Sequence, residues 1–524
     1  MAARRKTFTA WSAVAGIVSA AAFLAAAELI ALLVAPQASP LLAVGSFVID
    51  IVPQPLKEFA ISTFGANDKI ALLVGLGLAV VIASAIAGIL EYVRPPLGAV
   101  LLVVAGVLSG AAILTRAGAG VLSALPPLVG TIVGVVLILM LGRRLRAWRD
   151  RAAAAPTESD PEEGAETAGA SRRGFLGMTA IAAAASVVVG VGSRVISATT
   201  SSIAAVRDAI QLPAVRSTVT VPAGAEADVE GLSPLFTPNA EFYRVDTALT
   251  VPSIDPSTWR LVIDGMVDQR IELSFDDLVG MGLDEYGITL TCVSNEVGGG
   301  LVGNAIWQGV PIRDILAMAG PQAGADMVLS RSVDGYTAST PLDTLTDDNR
   351  DAIFAVAMNG EPLPLEHGFP VRMVVPGLYG YVSATKWVTE LKVTTFAADE
   401  AYWTPRGYAA EAPIKMSSRI DTPRSGTPVN AGTVPIAGMA WAQTTGIQSV
   451  EVSIDDGDWQ QANLSTPVNA DTWVQWWMEW QAEAGTHYVT VRATDKNGQV
   501  QIEDRAPIAP DGSSGWQRTL VTVR

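Results

Sequence analysis

Four long apolar runs in the first 141 residues constrain the fold of this chain more than any other feature of its sequence. A helix rises about 1.5 Å per residue, so each run is long enough to cross a hydrocarbon core of about 30 Å. The sequence therefore predicts a transmembrane helical domain at residues 1–150 with about four spans. The runs lie at about Phe8–Val34, Ile70–Val93, Leu97–Leu114 and Val121–Leu141.

Basic residues at both ends of this domain predict its orientation. Arg4, Arg5 and Lys6 precede the first run, and a group of arginines at 143–151 follows the fourth. The positive-inside rule places both groups in the cytoplasm, which an even number of spans allows. The segment 40–64 is apolar but carries charges and the pair Pro53 and Pro55, so we expect an interfacial or re-entrant piece, with another span as the alternative. The predicted location is the plasma (inner) membrane, as a multi-pass protein.

Residues 151–205 predict a linker and then a further apolar helix. A stretch rich in Pro, Glu and Ala ends at Ala170, and Ser171-Arg172-Arg173-Gly174-Phe175-Leu176 then precedes an apolar stretch to about Ile196. The twin arginine suits an export signal for proteins that are translocated folded, and the alternative is a fifth span with cytoplasmic arginines. Both interpretations place the rest of the chain outside the cytoplasm. If the motif is an export signal, we also expect a cofactor that binds in the cytoplasm before export.

Net charge limits the partners of the part outside the membrane. The formal charge is −16, and most acidic residues lie beyond Glu158. Binding to nucleic acid phosphates requires clustered Lys and Arg, so no nucleic acid partner is expected.

Cys292 is the only cysteine in the 524 residues, and its surroundings suggest a site. An alternating apolar run from Ile288 predicts a strand that ends at Cys292, and three consecutive glycines begin at Gly298. A lone cysteine can be a small buried hydrophobe, a reactive thiol or a metal ligand. The glycine loop and the neighbouring Ser294 and Asn295 favour the last two.

A second group of polar residues lies on loops punctuated by Gly and Pro. His367, Arg372 and Lys386 suit an anionic, phosphate-bearing ligand, although one buried histidine and two surface cations are the alternative. Soft thiolate ligation suits a redox metal. Together with Cys292, these residues predict a phosphate-bearing cofactor whose metal binds a thiolate.

Five ordered motifs make residues 242–524 resemble the sulfite oxidase family of molybdenum-cofactor enzymes, in its bacterial membrane-anchored form. These motifs are the Cys292 stretch, Tyr336-Thr-Ala-Ser-Thr-Pro-Leu, Met358-Asn-Gly-Glu-Pro-Leu-Pro, His367-Gly-Phe-Pro-Val-Arg372 and Lys386-Trp387. The resemblance implies a molybdenum–molybdopterin cofactor in which the metal alternates between Mo(VI) and Mo(IV) while one oxygen atom and two electrons are exchanged.

The resemblance also implies roles for individual residues. Cys292 would ligate molybdenum beside the dithiolene of one molybdopterin, and Tyr336 would contact the substrate. Arg244 and Arg406 would line the entrance with positive charge. The pterin and its phosphate would be held by His367, Arg372, Ser383 and Lys386, with Asn295 in the loop after the metal ligand.

Substrate identity stays open at this point. Family members that oxidise sulfite carry arginines where this chain has Glu296 and Val297. A pocket for a small dianion needs fixed positive charge to offset desolvation, so a sulfoxide or N-oxide reductase is the alternative. A non-catalytic surface or adhesion module is the alternative from another class.

Electrons must come from or go to a separate protein. The sequence has no Cys-x-x-Cys-His motif and no histidine in a predicted span, so we expect neither haem nor an iron–sulfur cluster. The expected partner is a cytochrome or a quinone-linked protein.

The predicted fold is multi-domain. The membrane helices precede an α+β molybdopterin-binding catalytic domain at 206–420 and an all-β immunoglobulin-like sandwich at 421–524. Short alternating strands and the turns at 455–458 and 495–498 indicate the sandwich. The resemblance implies that this last domain makes a homodimer contact. We expect the tryptophans there to be core and interface residues, namely Trp473, Trp476, Trp477 and Trp480.

Overall fold

A computed structural model describes residues 2–34, 39–52, 68–114, 121–154, 172–188 and 199–524, together with Leu56 and Thr63. Several predicted features therefore lie outside the described residues, including most of the linker, Ser171 and the end of the apolar stretch after Val188. The chain forms two compact units. The helical unit contains 1–201 and 247–250, and the β-rich unit contains 202–246 and 251–524.

The helical unit contains the four predicted spans. Among the described residues, four helices are long and apolar enough to cross a membrane, namely α1, α3, α4 and α5, whereas the 12 residues of α2 are too few. The prediction for 40–64 beyond Val52 concerns mostly undescribed residues. The elements are α1 (Ala2–Val34), α2 (Pro40–Ile51), α3 (Asp68–Val93), α4 (Leu97–Leu114), a 3₁₀ turn (Val121–Ala124), α5 (Leu125–Ala154) and α6 (172–188).

Glycines allow α1 and α3 to pack closely. A Cβ atom added at Gly16 would lie 2.0 Å from the carbonyl oxygen of Ser84, and one at Gly88 would lie 2.0 Å from that of Ser12. Small residues at such crossings bring two backbones into direct contact, as is common between membrane helices.

Aromatic side chains bring three helix ends together. Phe8, near the start of α1, has its ring 5.0 Å from that of Trp148, near the end of α5. Phe175 of α6 is fully buried and contacts the rings of Trp11 and Trp148. The guanidinium of Arg144 donates to the carbonyl of Gly174 at 3.2 Å. The basic segments on either side of the four spans therefore lie at the same end of this unit.

The first part of the β-rich unit contains two sheets. One has the order β2-β1-β10-β5-β6, in which only the β1–β10 pair is parallel. The other has the order β3-β4-β7-β8, with β9 also paired to β7. The strands are β1 (Arg260–Gly265), β2 (Ile271–Ser274), β3 (Asp284–Thr291), β4 (Val302–Pro311), β5 (Met327–Ser332), β6 (Thr337–Pro341), β7 (Ile353–Met358), β8 (Glu361–Pro362), β9 (Arg372–Val374) and β10 (Val388–Thr394).

Short helices connect these strands, and local sequence fixes their ends. Ser274 and Asp277 form a capping box at the start of α8, and Gly320 ends α9 with a φ of 68°. The helices of this unit are α7 (Thr199–Ala209), α8 (Phe275–Gly280), α9 (Ile312–Ala319), α10 (Leu342–Thr346) and α11 (Gly380–Ser383), with 3₁₀ turns at Leu365–His367 and Thr404–Arg406.

The C-terminal sandwich consists of two four-stranded antiparallel sheets that share one core. Their orders are β11-β12-β16-β15 and β14-β13-β17-β18. Ile436 and Trp476 from the first sheet and Val450 and Val489 from the second are fully buried in this core. The strands are β11 (Ser417–Thr422), β12 (Gly432–Trp441), β13 (Ile447–Ile454), β14 (Gln460–Gln461), β15 (Asn463–Leu464), β16 (Val474–Ala482), β17 (Gly485–Asp495) and β18 (Gln517–Val523).

The sandwich packs against the first part of the same unit. Trp473 belongs to the core of that part, and its indole N–H donates to the carbonyl of Leu235 at 2.7 Å. Trp476 and Trp480 lie in the sandwich core, whereas Trp477 is half-buried. Strand β11 begins at Ser417, a few residues before the predicted boundary at 420/421.

Candidate functional site

Cys292 lies directly after β3, at the position that the alternating pattern predicts. The thiol is buried, and its sulfur accepts a hydrogen bond from the amide of Ser294 at 3.4 Å. Burial raises the pKa of Cys292, and the hydrogen bonds from Ser294 offset part of this effect. The thiol alone is therefore neutral at pH 7. A bound metal cation favours the thiolate, because it supplies the positive charge that the buried sulfur lacks.

The loop after Cys292 is held by the C-terminal sandwich. Within the loop, the side-chain oxygen of Asn295 accepts from the amide of Leu301 at 2.8 Å. From the sandwich side, the hydroxyl of Ser513 donates to the carbonyl of Asn295 at 2.6 Å, and Arg419 donates to the carbonyl of Gly299 at 3.2 Å. The position of the thiol thus depends on residues more than 100 positions away in sequence.

Arg372 and Lys386 lie side by side as buried cations. Their backbones form an isolated antiparallel bridge, and their side chains are 5% and 9% exposed. Arg372 donates to the carbonyl of His367 at 3.1 Å, with its guanidinium 5.1 Å from the ring centre of Trp307. Burial lowers the pKa of Arg372 to about 10 and that of Lys386 to about 8. Since burial disfavours both charges, an anion bound here would be stabilised by both.

His367 belongs to the same cluster but is neutral. Burial, together with the charges of Arg372 and Lys386, lowers its pKa to about 3. One ring nitrogen lies 3.3 Å from the carbonyl oxygen of Asn239, and the ring of Phe242 contacts the imidazole edge-on at 5.6 Å. At pH 7 this side chain can therefore position a ligand by hydrogen bonding, without adding charge.

Tyr336 lies on the turn between β5 and β6, with its hydroxyl directed into the protein. The phenol donates to the carbonyl of Tyr381 at 2.7 Å. Burial raises the pKa of Tyr336, so the phenol keeps its proton. Arg406 is connected to Tyr336 through Tyr402. Its guanidinium stacks 3.7 Å from the ring centre of Tyr402, whose ring contacts that of Tyr336 at 5.7 Å.

Arg244 is linked to Lys386 by Asp246, which the sequence did not predict as a site residue. Asp246 accepts from Arg244 at 2.8 Å and from Lys386 at 2.7 Å, and its side chain is 4% exposed. Tyr243 was also missed. Burial raises its pKa, so the phenol keeps its proton. Its ring stacks on that of Phe242, with ring centres 5.3 Å apart.

Ser383 differs from the other predicted cofactor-binding residues. Its side chain is fully buried, and its hydroxyl donates to the carbonyls of Leu378 and Tyr379 at 3.1 and 3.0 Å. These bonds hold the turn of α11 in place.

The residues present fit a phosphate-bearing cofactor with a thiolate-binding metal. Among the described residues, the buried hydroxyls of Thr291 and Ser332 have no protein hydrogen-bond partner. Thr291 directly precedes Cys292, and the amide of Ser332 closes the Tyr336 turn by donating to the Tyr336 carbonyl at 2.8 Å. A buried thiol, two adjacent buried cations and unsatisfied hydroxyls are the donor types that such a cofactor requires.

Comparisons with known proteins match this chain to molybdopterin-dependent oxidoreductases. Residues 248–403 match the family model described as an oxidoreductase molybdopterin binding domain. Mitochondrial sulfite oxidase of Mus musculus is 32% identical over 370 residues, which cover 60% of this chain and 67% of that protein. The human enzyme is 32% identical over 372 residues, with the same coverage. The crystal structure of the sulfane dehydrogenase SoxCD from Paracoccus pantotrophus superposes with a TM-score of 0.49 at 22% identity, over 58% of this chain and 86% of that one.

This chain belongs to the sulfite oxidase family of molybdopterin-dependent oxidoreductases. It is therefore an enzyme, and the resemblance seen in the sequence motifs is confirmed. The alternative of a non-catalytic surface module is set aside.

Proposed function

We propose that this protein is a membrane-anchored molybdenum-cofactor oxidoreductase that transfers one oxygen atom to or from a small anionic or sulfur-containing substrate outside the cytoplasm. Two observations support the proposal: the thiol of Cys292 is buried directly after β3, and Arg372 and Lys386 are adjacent buried cations. When bound, the cofactor supplies the exchange of one oxygen atom and two electrons. The transmembrane helices would hold the enzyme at the plasma membrane.

In this proposal the protein residues bind and orient the cofactor. Cys292 would be the metal ligand, and the loop clamped by Ser513 would fix the direction of its sulfur. Arg372 and Lys386 would bind the pterin phosphate, because burial disfavours both charges and Asp246 pairs only with Lys386 of the two. His367 would donate or accept a hydrogen bond as a neutral imidazole.

Three further residues would line the path of the substrate. Arg244 has a side chain that is 38% exposed, so it can meet an anion that arrives from solvent. The protonated phenol of Tyr336 would donate a hydrogen bond to an oxygen of the substrate if it leaves the Tyr381 carbonyl. Arg406 would hold the ring of Tyr402 against that of Tyr336.

The direction of the reaction has two candidates. The relatives are named sulfite oxidases, which favours oxidation of a sulfur oxyanion. The ion pair of Arg244 and Asp246 favours the alternative, reduction of a sulfoxide or an N-oxide, because it lowers the positive charge available to an oxyanion.

The helical unit supports a proposal on orientation. Because the start of α1, the end of α5 and the start of α6 meet at one end, the basic segments can all face the cytoplasm. Burial of Phe175 favours α6 as a lasting part of the membrane unit. The catalytic part would then be extracytoplasmic and exchange electrons with a cytochrome or a quinone-linked protein. The sandwich would be immunoglobulin-like and would pair two copies of the chain.

Steady-state assays with artificial dyes test the proposal. Solubilised protein from a host that makes the cofactor is assayed with an oxidised dye plus sulfite, and with a reduced dye plus methionine sulfoxide. Turnover with the oxidised dye supports the oxidase direction, and turnover with only the reduced dye supports the reductase. Protein that contains molybdenum but shows neither activity contradicts this choice of substrates.

A further inference from the structure

One carboxylate oxygen of Asp246 joins the two sides of the candidate site. Its Oδ2 accepts from Nε of Arg244 at 2.8 Å and from Nζ of Lys386 at 2.7 Å. The Asp246 side chain is 4% exposed, compared with 9% for Lys386 and 38% for Arg244. The carboxylate thus lies between the most exposed of these cations and a buried one.

The segment that carries Asp246 is fixed by aromatic packing. Phe242 is buried, and its ring contacts those of Trp307 and His367 at 5.7 and 5.6 Å. Tyr243 stacks on Phe242, with ring centres 5.3 Å apart. The backbone that leads into Asp246 is therefore anchored beside His367 and Trp307.

Asp246 lowers the net positive charge of the cluster of cationic side chains. Arg244, Arg372 and Lys386 supply three positive charges, while His367 is neutral at pH 7. Asp246 neutralises one of these three positive charges and accepts hydrogen bonds from two of the side chains, Arg244 and Lys386. A dianionic substrate must lose its hydration shell on binding, and only fixed positive charge offsets that cost. A substrate without net charge needs no such compensation.

We infer that Asp246 is a specificity-determining residue, which makes this site favour uncharged sulfur or nitrogen oxides over dianions such as sulfite. The inference rests on the proposed function and narrows its substrate class. Asp246 acts through Arg244 and Lys386, so it is a positioning residue and does not touch the reacting atoms.

The test compares Asp246→Asn with the wild-type holoenzyme. Asparagine keeps the shape and one acceptor oxygen but removes the charge. We expect the ratio of kcat/KM for sulfite to kcat/KM for methionine sulfoxide to rise about tenfold, the effect of one unit charge at short range in a partly shielded site. Taking the ratio cancels any general loss from misplacing Lys386. An unchanged ratio would overturn the inference.

A binding measurement separates this inference from the proposed function. Sulfate is an unreactive dianion, and its dissociation constant is measured by calorimetry on the same holoenzymes. We expect about tenfold tighter sulfate binding to Asp246→Asn, even if neither substrate is turned over. Equal sulfate affinity would refute the role of Asp246, whatever the activity.

Asp284→Asn is the matched control. Asp284 pairs with Arg216 and also loses one negative charge on substitution, but it lies at the start of β3, at the other end of the strand from Cys292. The control should keep both the kinetic ratio and the sulfate affinity of the wild type. If Asp284→Asn changes them as much as Asp246→Asn, the effect is one of total charge and the inference is wrong.

Discussion

Arg372→Met should have opposite effects on the stability of the cofactor-free protein and on the retention of the cofactor. Burial lowers the pKa of Arg372 from 12.5 to about 10. At about 1.4 kcal/mol for each pKa unit, the folded protein holds this charge at a cost of about 3 kcal/mol. The guanidinium also donates to the carbonyls of His367 and Met373 at 3.1 and 3.4 Å. Losing these two bonds costs about 1 kcal/mol each.

The net result for the cofactor-free protein should lie between no change and about 2 kcal/mol of added stability, because methionine keeps an apolar stem against Trp307. The same substitution removes charge-assisted hydrogen bonds to a phosphate, each of about 1.5–3 kcal/mol, so cofactor affinity should fall at least about tenfold.

The assay uses full-length protein in detergent, made in hosts with and without the ability to synthesise the cofactor. Urea unfolding of the cofactor-free form gives its stability, and molybdenum and pterin content after dialysis gives retention. Arg331→Met is the control, since Arg331 pairs with Glu390 at 3.0 Å and its side chain is one-third exposed. It should change stability by less than about 1 kcal/mol and leave cofactor content unchanged. A loss above 3 kcal/mol in cofactor-free Arg372→Met, or normal retention in the holoenzyme, would refute the reasoning.

Two further predictions concern pH and the Cys292 loop. The folded-state pKa of His367 is depressed to about 3 from 6.5, so below pH 6.5 the unfolded chain binds a proton that the folded chain does not. Stability of the cofactor-free protein should therefore fall as the pH drops, by about 2 kcal/mol at pH 5, and His367→Gln should flatten this part of the profile; identical profiles would contradict the assignment. Ser513→Ala should cost about 1–2 kcal/mol in urea unfolding, because the carbonyl of Asn295 loses its donor. Ser514→Ala is the control, because the exposed hydroxyl of Ser514 donates to the backbone carbonyl of Asp504; it should cost less than about 0.5 kcal/mol. Equal losses of stability in the two variants would argue against the clamp.

Local pattern was sufficient to predict the elements that position the thiol. The alternating run from Ile288 predicted a strand up to Cys292, and β3 ends at Thr291. The four apolar runs form four helices, because each run is long and contains too few charged residues to end the helix.

Contacts between distant residues were not predictable in the same way. Asp246 and Lys386 are 140 positions apart, and Ser513 and Asn295 are 218 apart. A single sequence shows which residue types are present but not which partners the tertiary fold brings to them. Asp246 stands two residues after Arg244, and this short acidic–basic spacing was the one available signal.

A motif also does not show which atoms of its residues already form hydrogen bonds within the protein. Ser383 and Asn295 were predicted as cofactor-binding residues from their places in motifs. In the fold, the hydroxyl of Ser383 and the side-chain oxygen of Asn295 bond to the backbone of their own loops. Their direct contact with a cofactor stays a prediction.

Molybdenum X-ray absorption on the wild-type holoenzyme and on Cys292→Ser tests the central claim most directly. We predict about one molybdenum per chain in the wild type. The variant should still fold, but its metal should have one sulfur neighbour fewer. Absence of molybdenum from protein made in a competent host, or an unchanged number of sulfur neighbours in Cys292→Ser, would contradict the account.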